Sequence, residues 1–471
     1  CFWSHKIETE VSVACKPSKA SWTARGGRLA LPFVLGCTAG AAQVSPPQYE
    51  PYFPTALAVS PDGRYLFALS SNADLRYSSG TIQTYDLDAV DALASDWLVS
   101  GTEPEGCERD VFDRQVLACD NETSAGPAPW MVANGSVKTG NFGSALAVQE
   151  TDSGLRVFAT VRGDPSVTWA EFDPGAGQLS CAAGGVFESC DAPHRLDHYL
   201  TSRDYGSLPS EPFYMTFDPV AENFVVTHLT TGFVTLGWSP RDERSAPVLT
   251  DYAFNLFAQS AATGQVRATG VAARLPGADP AWVYVTSSSE AKIVMLEISK
   301  GPPDDDGIPR DSLVLGPDFY FDDRPGDSNP GDARGITFSA DGERAFVINR
   351  APPELLIYDT QVLADGLPAN RLVGAVELCS QPAQVAVFDA GRGLRAYAPC
   401  FTNGQIWVVD PATARLVAAS NVGLGPTGLA VDEARKRVYV ANYSENTIAV
   451  IDVTPFSPTE SSAILRLGRR R

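Results

Sequence analysis

Residues 426–455 read PTGLAVDEARKRVYVANYSENTIAVIDVTP. Three short apolar runs, near Gly428–Val431, Val438–Asn442 and Thr447–Val453, are separated by polar turns, and none has the length or period of a helix. The middle run, Val438-Tyr439-Val440-Ala441-Asn442, is β-branched and aromatic, the composition of a strand. The last run alternates only partly, which suits strands covered on both faces. It ends near Asp452, whose carboxylate can bond backbone N–H groups two residues on and start the next turn.

Working outward, the same grammar recurs: an apolar strand, a turn often of the Ser-Pro-Asp-Gly kind, a strand rich in Val, Tyr and Phe, and a third strand ending in an acid. It appears as PTALAVSPDGRYLFALSSN from Pro54 with GTIQTYDLD from Gly80, as RGITFSADGERAFVINRAPPELLIYDT from Arg334, and as AQVAVFDAGRGLRAYAPCFTNGQIWVVDP from Ala383. Weaker copies begin at Gly143 (GSALAVQETDSGLRVFATVRGDPSVTWAEFDP), Pro212 (PFYMTFDPVAENFVVTHLTTGFVTLGWSP) and Ala268 (ATGVAARLPGADPAWVYVTSSSEAKIVMLEIS). The strong copies close their third strands at Asp86, Asp359, Asp410 and Asp452, the weak ones at Asp173, Trp238 and Glu297. Long insertions are expected at about 88–142, 174–211 and 300–333, and no stretch reads as a long amphipathic helix.

One such unit cannot bury itself, so several must pack against one another, and closing them into a ring removes exposed strand edges. The expectation is therefore an all-β chain: a seven-bladed β-propeller of four-stranded antiparallel blades with long loop insertions, forming one domain over residues 43–471. Either Ile464–Leu467 or Gln43–Phe53 would close the ring. These residues, above all VYVANYSENTIAVIDV, resemble the YVTN-repeat family of bacterial β-propellers, which includes lactonase-like members. The resemblance covers about residues 54–468. It implies a central channel and a place in exported or surface proteins, and it does not imply an activity.

Residues 1–42 are read as an export signal and leader. Arg25 and Arg28 precede the apolar run Leu29–Gly36, which is too short to span a bilayer. Val34-Leu35-Gly36-Cys37 resembles a bacterial lipobox in which the Cys37 thiol would carry lipid, the alternative being cleavage near Ala39-Gly40-Ala41. Beyond that segment, Cys107, Cys119, Cys181, Cys190, Cys379 and Cys400 form an even set, which in an exported chain points to disulfides. Sequence proximity favours Cys107 with Cys119, Cys181 with Cys190 and Cys379 with Cys400, among the 15 connectivities that six cysteines allow. Buried free thiols are the alternative.

The formal net charge is -20, and residues 1–36 hold Lys6, Lys16, Lys19, Arg25 and Arg28 against Glu8 and Glu10, so the remainder is more acidic still. Such a surface repels phosphate backbones and argues against a nucleic-acid partner, with only Arg469-Arg470-Arg471 forming a basic run.

Several motifs that resemble active sites fail on context. Gly423-Leu424-Gly425-Pro426-Thr427-Gly428 matches a dinucleotide fingerprint but joins two strands, with no helix to receive a pyrophosphate. Gly326-Asp327-Ser328-Asn329 is similar to an esterase nucleophile block, yet no histidine follows His228 to serve as base. His194 and His198, with Asp191 and Asp197, have metal-like spacing but lie in an insertion, and His228 falls in a predicted strand. The acidic insertion holding Asp304, Asp306 and Asp311 offers hard oxygen ligands suited to calcium, the one cofactor the sequence suggests. No C-x-x-C-H for covalent haem occurs. Sequons stand at Asn121, Asn134 and Asn442.

Asp332, Arg334, Asn349 and Arg350 should lie at the channel mouth, where arginines beside carboxylates suit an anionic or polar ligand; ion pairing between blades is the plainer role for them. The sequence favours a non-enzymatic, monomeric binding scaffold, a lipoprotein of the periplasm, outer membrane or cell surface whose partner is a protein or envelope component. The alternative is a lactonase-like hydrolase using the channel.

Overall fold

The backbone groups of each short strand need partners, and the chain supplies them by folding back on itself through tight turns. The carboxylate of Asp410 accepts from the Ala412 N–H at 3.0 Å, that of Asp173 from Gly175 at 2.8 Å, and that of Asp452 from Thr454 at 3.0 Å. Asp86 and Asp359 accept in the same way from the Asp88 and Gln361 N–H groups, so the expected two-residue reach of the third-strand acid is used in five copies. The structure, a computed structural model, describes residues 44–181, 185–200, 205–242, 245–257, 266–321 and 331–470. The expected lipid-bearing Cys37, the leader around it and Gly326–Asn329 lie outside the described residues.

Among the described residues the chain is all-β apart from one helix and a single 3-10 turn. In chain order the strands are β1 (Pro54–Val59), β2 (Tyr65–Ser70) and β3 (Thr81–Asp86), then β4 (Cys107–Arg109), β5 (Leu117–Cys119), β6 (Glu122–Thr123), β7 (Gly126–Pro127) and β8 (Met131–Lys138). There follow β9 (Gly143–Glu150), β10 (Leu155–Val161), β11 (Ser166–Asp173), β12 (Gln178–Ser180), β13 (Arg195–Leu196), β14 (His198–Leu200) and β15 (Tyr205–Ser207). The middle of the chain holds β16 (Pro212–Asp218), β17 (Asn223–His228), β18 (Val234–Trp238), β19 (Val248–Ala253), β20 (Val271–Ala273), β21 (Ala281–Thr286), β22 (Lys292–Ser299) and β23 (Ser312–Tyr320). The last part holds β24 (Ala333–Phe338), β25 (Arg344–Arg350), β26 (Pro353–Asp359), β27 (Arg371–Glu377), β28 (Ala386–Phe388), β29 (Arg395–Cys400), β30 (Gln405–Asp410) and β31 (Arg415–Asn421). It ends with β32 (Pro426–Asp432), β33 (Arg437–Asn442), β34 (Thr447–Asp452) and β35 (Ser462–Leu467).

These strands form consecutive four-stranded antiparallel units: β1-β2-β3-β8, β9-β10-β11-β12, β16-β17-β18-β19, β20-β21-β22-β23, β24-β25-β26-β27, β28-β29-β30-β31 and β32-β33-β34-β35. Neighbouring units bury the aliphatic and aromatic faces of their middle strands against each other, as in the cluster of Tyr284, Met295, Val347 and Tyr358. The first strand of each unit packs beside the first strand of the next, and β32 packs beside β1.

Side-chain hydroxyls trace the same circuit. Thr55 Oγ1 donates to Gly143 O (2.8 Å), Ser144 Oγ to Pro212 O (3.2 Å), Thr227 Oγ1 to Thr269 O (2.5 Å), and Thr269 Oγ1 to Ala333 O (2.6 Å). Gly335 N–H donates to Ala383 O at 3.2 Å, Leu429 N–H to the Gln384 Oε1 at 3.1 Å, and Thr427 Oγ1 to Pro54 O at 3.4 Å. A side chain at Gly428 could not be accommodated, since its Cβ would lie 2.4 Å from Thr55 O. The circuit is closed between the two ends of the chain.

The structure corrects the sequence reading at the insertions. Residues Leu87–Ser100 form a helix, α1, capped by Asp86, whose carboxylate accepts from Asp88 and Ala89 N–H, and ended by Gly101 in the left-handed region. It buries Leu87, Val90, Ala94 and Trp97 on one stripe. The insertions expected at 88–142, 174–211 and 300–333 also contain β8, β12 and β23, which are the outer strands of their units. Where an outer strand is covered on one side only its pattern is weak: β23 reads SLVLGPDFY, largely exposed or half-buried.

Of the two closures left open, β35 completes the last unit. The β4–β5 hairpin of the first unit then adds to it, β5 running parallel to β35 with Leu117 opposite Leu465. This clasp is fastened by ion pairs. Arg437 meets Asp91 at 3.2 Å, Arg469 meets Asp120 at 2.6 Å, and Arg466 and Arg435 pair with Asp110 and Asp88. The basic run at the end of the chain is therefore partly spent on closing the ring. Among the described residues no helix is long and apolar enough to cross a membrane.

Candidate functional site

The first strands surround a cavity of about 190 Å³ lined by Ala56, Leu57, Ala145, Tyr214, Val271, Gly335, Gln384 and Leu429, so that every unit contributes. Aligning the copies on these strands gives two columns. One is Thr55, Ser144, Phe213, Thr269, Arg334, Ala383 and Thr427. The next is Ala56, Ala145, Tyr214, Gly270, Gly335, Gln384 and Gly428. The first column is mostly hydroxyls, which make the circuit, and the second is mostly small, because the strands crowd at the axis. Tyr214, Gln384 and Arg334 are the large polar exceptions, and they come together.

Of the residues expected at the mouth, Asp332 and Arg334 form an ion pair, Nε to Oδ1 at 2.6 Å. Asn349 Oδ1 accepts from the Asp332 N–H at 3.0 Å, and the Arg350 N–H donates to Asp332 O at 2.8 Å, so the start of β24 is zipped to the end of β25. Arg350 Nε donates to Pro382 O at 3.3 Å. Burial, and then the neighbouring Arg334 charge, lower the Arg350 pKa, while Asp332 and Tyr214 oppose that shift. The guanidinium stays a cation at neutral pH. Burial raises the Tyr214 phenol pKa, against its hydrogen bond with Gln384 and the charges of Arg334 and Arg350. The phenol is thus a neutral group at pH 7.

Around Tyr214 the chain gathers two guanidiniums, one carboxylate already engaged by one of them, a phenol and an amide. Such a set can orient and hold an anionic or polar group, and its one carboxylate, Asp332, is already paired with Arg334. Tyr214 and Gln384 escaped the sequence reading, although the break in the small-residue column was present in it.

The other candidates are dispersed. His228 is buried on β17, with Nε2 2.9 Å from Thr235 Oγ1, and burial lowers its pKa to about 4. His194 and His198 each bond their own acid, Asp191 and Asp197, at 2.6 Å. His194 also lies against Trp169. Asp304 Oδ1 accepts from its own loop, the Asp306 and Ile308 N–H groups. Buried Asp311 accepts from Lys300 Nζ at 2.8 Å and from Asn223 Nδ2 at 3.0 Å. The residues expected to hold calcium are not brought together. Among the described residues no group of three or more His, Cys, Asp or Glu side chains is arranged to hold a metal ion.

Gly423–Gly428 links β31 to β32, with the Leu424 N–H bonded to Glu445. Two of the sequon asparagines are consumed inside the protein: Asn121 bonds Tyr85 and Trp130, and Asn442 bonds Val422 O and Thr447. Asn134 is exposed. The cysteines pair as proximity favoured, Cys107–Cys119, Cys181–Cys190 and Cys379–Cys400.

No protein-family model matches this sequence, and no curated protein does either. Solved structures do. Kuenenia stuttgartiensis hydrazine synthase is 13% identical, with 89% of this chain and 98% of that chain covered at a TM-score of 0.51. The β-propeller domain of Cps50 (Swd1) from Myceliophteria thermophila is 9% identical, with 87% and 98% covered at 0.50. The periplasmic gluconolactonase PpgL of Pseudomonas aeruginosa is 14% identical, with 78% and 84% covered at 0.47. At these identities the likeness to the first two concerns the fold alone, and it agrees with the closed circuit of strands: the chain has a β-propeller fold.

Proposed function

We propose that this chain is a non-enzymatic, exported binding scaffold of the cell envelope, built as a seven-bladed propeller of the YVTN kind, whose channel mouth holds an anionic or polar ligand. The observation that carries the reading is the break in the inner-strand columns. Where packing favours a hydroxyl or a small residue, the chain instead places Arg334, Tyr214 and Gln384, next to Arg350. Departures from a repeat's packing rule that converge on one spot mark function better than the repeat itself does. Binding is favoured over turnover because the groups assembled there hold charge and donate hydrogen bonds, whereas hydrolysis of a lactone calls for a base. Export is supported by the three disulfides, and the Cys37 motif supports a lipid anchor on a monomer.

A panel of carboxylates, phosphates and lactones tests the reading on the purified protein. The expected result is a rise in melting temperature with one or more of the anions, abolished by Arg350→Ala, and no lactone consumption. Lactone turnover that disappears in Arg334→Ala overturns it. In the producing cell, Cys37→Ser should move the protein out of the membrane fraction; an unchanged distribution rules out the anchor.

A further inference from the structure

The last unit shows what the outer edge of a blade can accept. In β35 the register shifts between Val450 and Ile451, leaving Ile464 as the extra residue of a bulge. Ile464 is 0% exposed and clusters with Val90, Ala94 and Trp97 of α1 and with Leu117 of β5. The two preceding units carry the same bulge. Val373 is the extra residue in β27 and Val417 in β31, within the matching triplets Arg371-Leu372-Val373 and Arg415-Leu416-Val417. There, however, Val373 is 47% exposed and Val417 50%, and Leu372 and Leu416 are comparably bare. Among the described residues β27 and β31 are each paired on one side only. They are also neighbours, since a Cβ on Gly374 would lie 3.6 Å from that of Ala414.

The charges repeat in the same way. Arg437, at the start of β33, bonds Asp452 within its unit at 2.5 Å and then reaches Asp91 of α1. Among the described residues its counterparts Arg344 and Arg395 form ion pairs within their own units, with Asp359 at 3.1 Å and Asp410 at 3.5 Å. Arg371 adds a second guanidinium to Asp359 and is 72% exposed. These two units thus present bare apolar bulges beside guanidiniums, of which Arg344 and Arg371 share the single carboxylate of Asp359. In the last unit, carboxylates from α1 and the β4–β5 hairpin occupy the corresponding place.

We propose that the outer edges β27 and β31 form a docking surface for another protein, occupied by an extended segment whose apolar side chains are flanked by Asp and Glu. It would add to the sheet edge as β5 adds to β35, with carboxylates meeting Arg344, Arg371 and Arg395. Exposed apolar residues on unpaired strands are otherwise an aggregation hazard, which natural proteins avoid unless the edge is used. This proposal rests on the protein-binding part of the reading above and names its surface.

The test is photo-crosslinking in the cells that make the protein, with p-benzoylphenylalanine replacing Val417 in one strain, Val373 in a second, and exposed Leu424 on the loop before β32 in a third. The expected result is a covalent adduct from positions 417 and 373 to a different protein, mapping by mass spectrometry to an acidic and apolar segment. Adding Leu416→Lys or Arg395→Glu should lower the yield about tenfold, equivalent to about 1.4 kcal/mol of binding. Adducts from Leu424 alone overturn the edge proposal and leave the scaffold reading standing. Adducts only to a second copy of this chain overturn the stated occupant, and adducts from no position overturn both readings.

Discussion

Replacing Ile464 by Ala tests whether the clasp of α1 and β4–β5 is a folded part of the ring. The side chain is fully buried, in one cluster with Trp97, Val90 and Leu117. The change removes three carbons, a transfer loss of about 2.4 kcal/mol at about 0.8 kcal/mol per buried group, and an unfilled cavity raises it to about 3 kcal/mol or more. The control is Val417→Ala at the matching bulge of β31. It removes two methyl groups that are half exposed already, so the same arithmetic gives at most about 0.8 kcal/mol. Urea unfolding followed by tryptophan fluorescence, with disulfides intact, should show a midpoint shift several times larger for Ile464→Ala at an unchanged slope. Equal shifts for the two variants would mean that α1 and the hairpin do not cover β35, and the clasp would have to be abandoned.

Three further outcomes follow from the same structure. Burial depresses the His228 pKa to about 4, so the unfolded chain takes up a proton first as pH falls. Stability should be constant above about pH 6.5 and decline by about 3 kcal/mol on the way to pH 4, and His228→Gln should flatten that slope; a wild-type slope that survives the substitution contradicts the assignment. Thr269→Val deletes the hydroxyl that joins Ala333 O at 2.6 Å in the inner circuit and should cost about 1–3 kcal/mol, whereas Thr230→Val on the exposed surface should cost almost nothing; equal costs count against the circuit. Cys107 and Cys119 are separated by 12 residues, and replacing both with Ser should lower stability by about 3 kcal/mol, as measured by denaturation without reductant. No change would show that the hairpin is held by its ion pairs alone.

The inner and middle strands were legible because both of their faces are covered, and Val438–Asn442 and Thr447–Val453 carry that as unbroken apolar composition. Outer strands such as β23 and β27 are packed on one side, so SLVLGPDFY and RLVGAVE blur into the loops around them. α1 escaped notice because its buried stripe, Leu87, Val90, Ala94 and Trp97, is interleaved with further alanines, leucines and valines that dilute the contrast between its faces. Asp332, Arg334, Asn349 and Arg350, expected at the mouth, could be picked out as charged or amide groups at strand ends. Tyr214 and Gln384 could not, because in isolation PFYMTF and PAQVAV read as ordinary apolar strands. Only superposing the copies makes a tyrosine and a glutamine stand out in a column of alanine and glycine. The acidic run at Asp304–Asp311 suggested a cation by its composition, and the fold turns Asp304 onto its own loop and Asp311 onto Lys300.

Everything proposed here requires the first and last units to meet, and a cysteine pair measures that contact directly. Thr427 Oγ1 lies 3.4 Å from Thr55 O, at a seam where the ring is joined by chain segments far apart in sequence. In a Thr55→Cys, Thr427→Cys variant, mild oxidation of the native protein should give a single intramolecular disulfide between positions 55 and 427, identified by mass spectrometry and absent when oxidation is carried out in urea. Failure of the pair to join in the native protein, or joining only between separate molecules, would mean that the sheets form an open row with no channel.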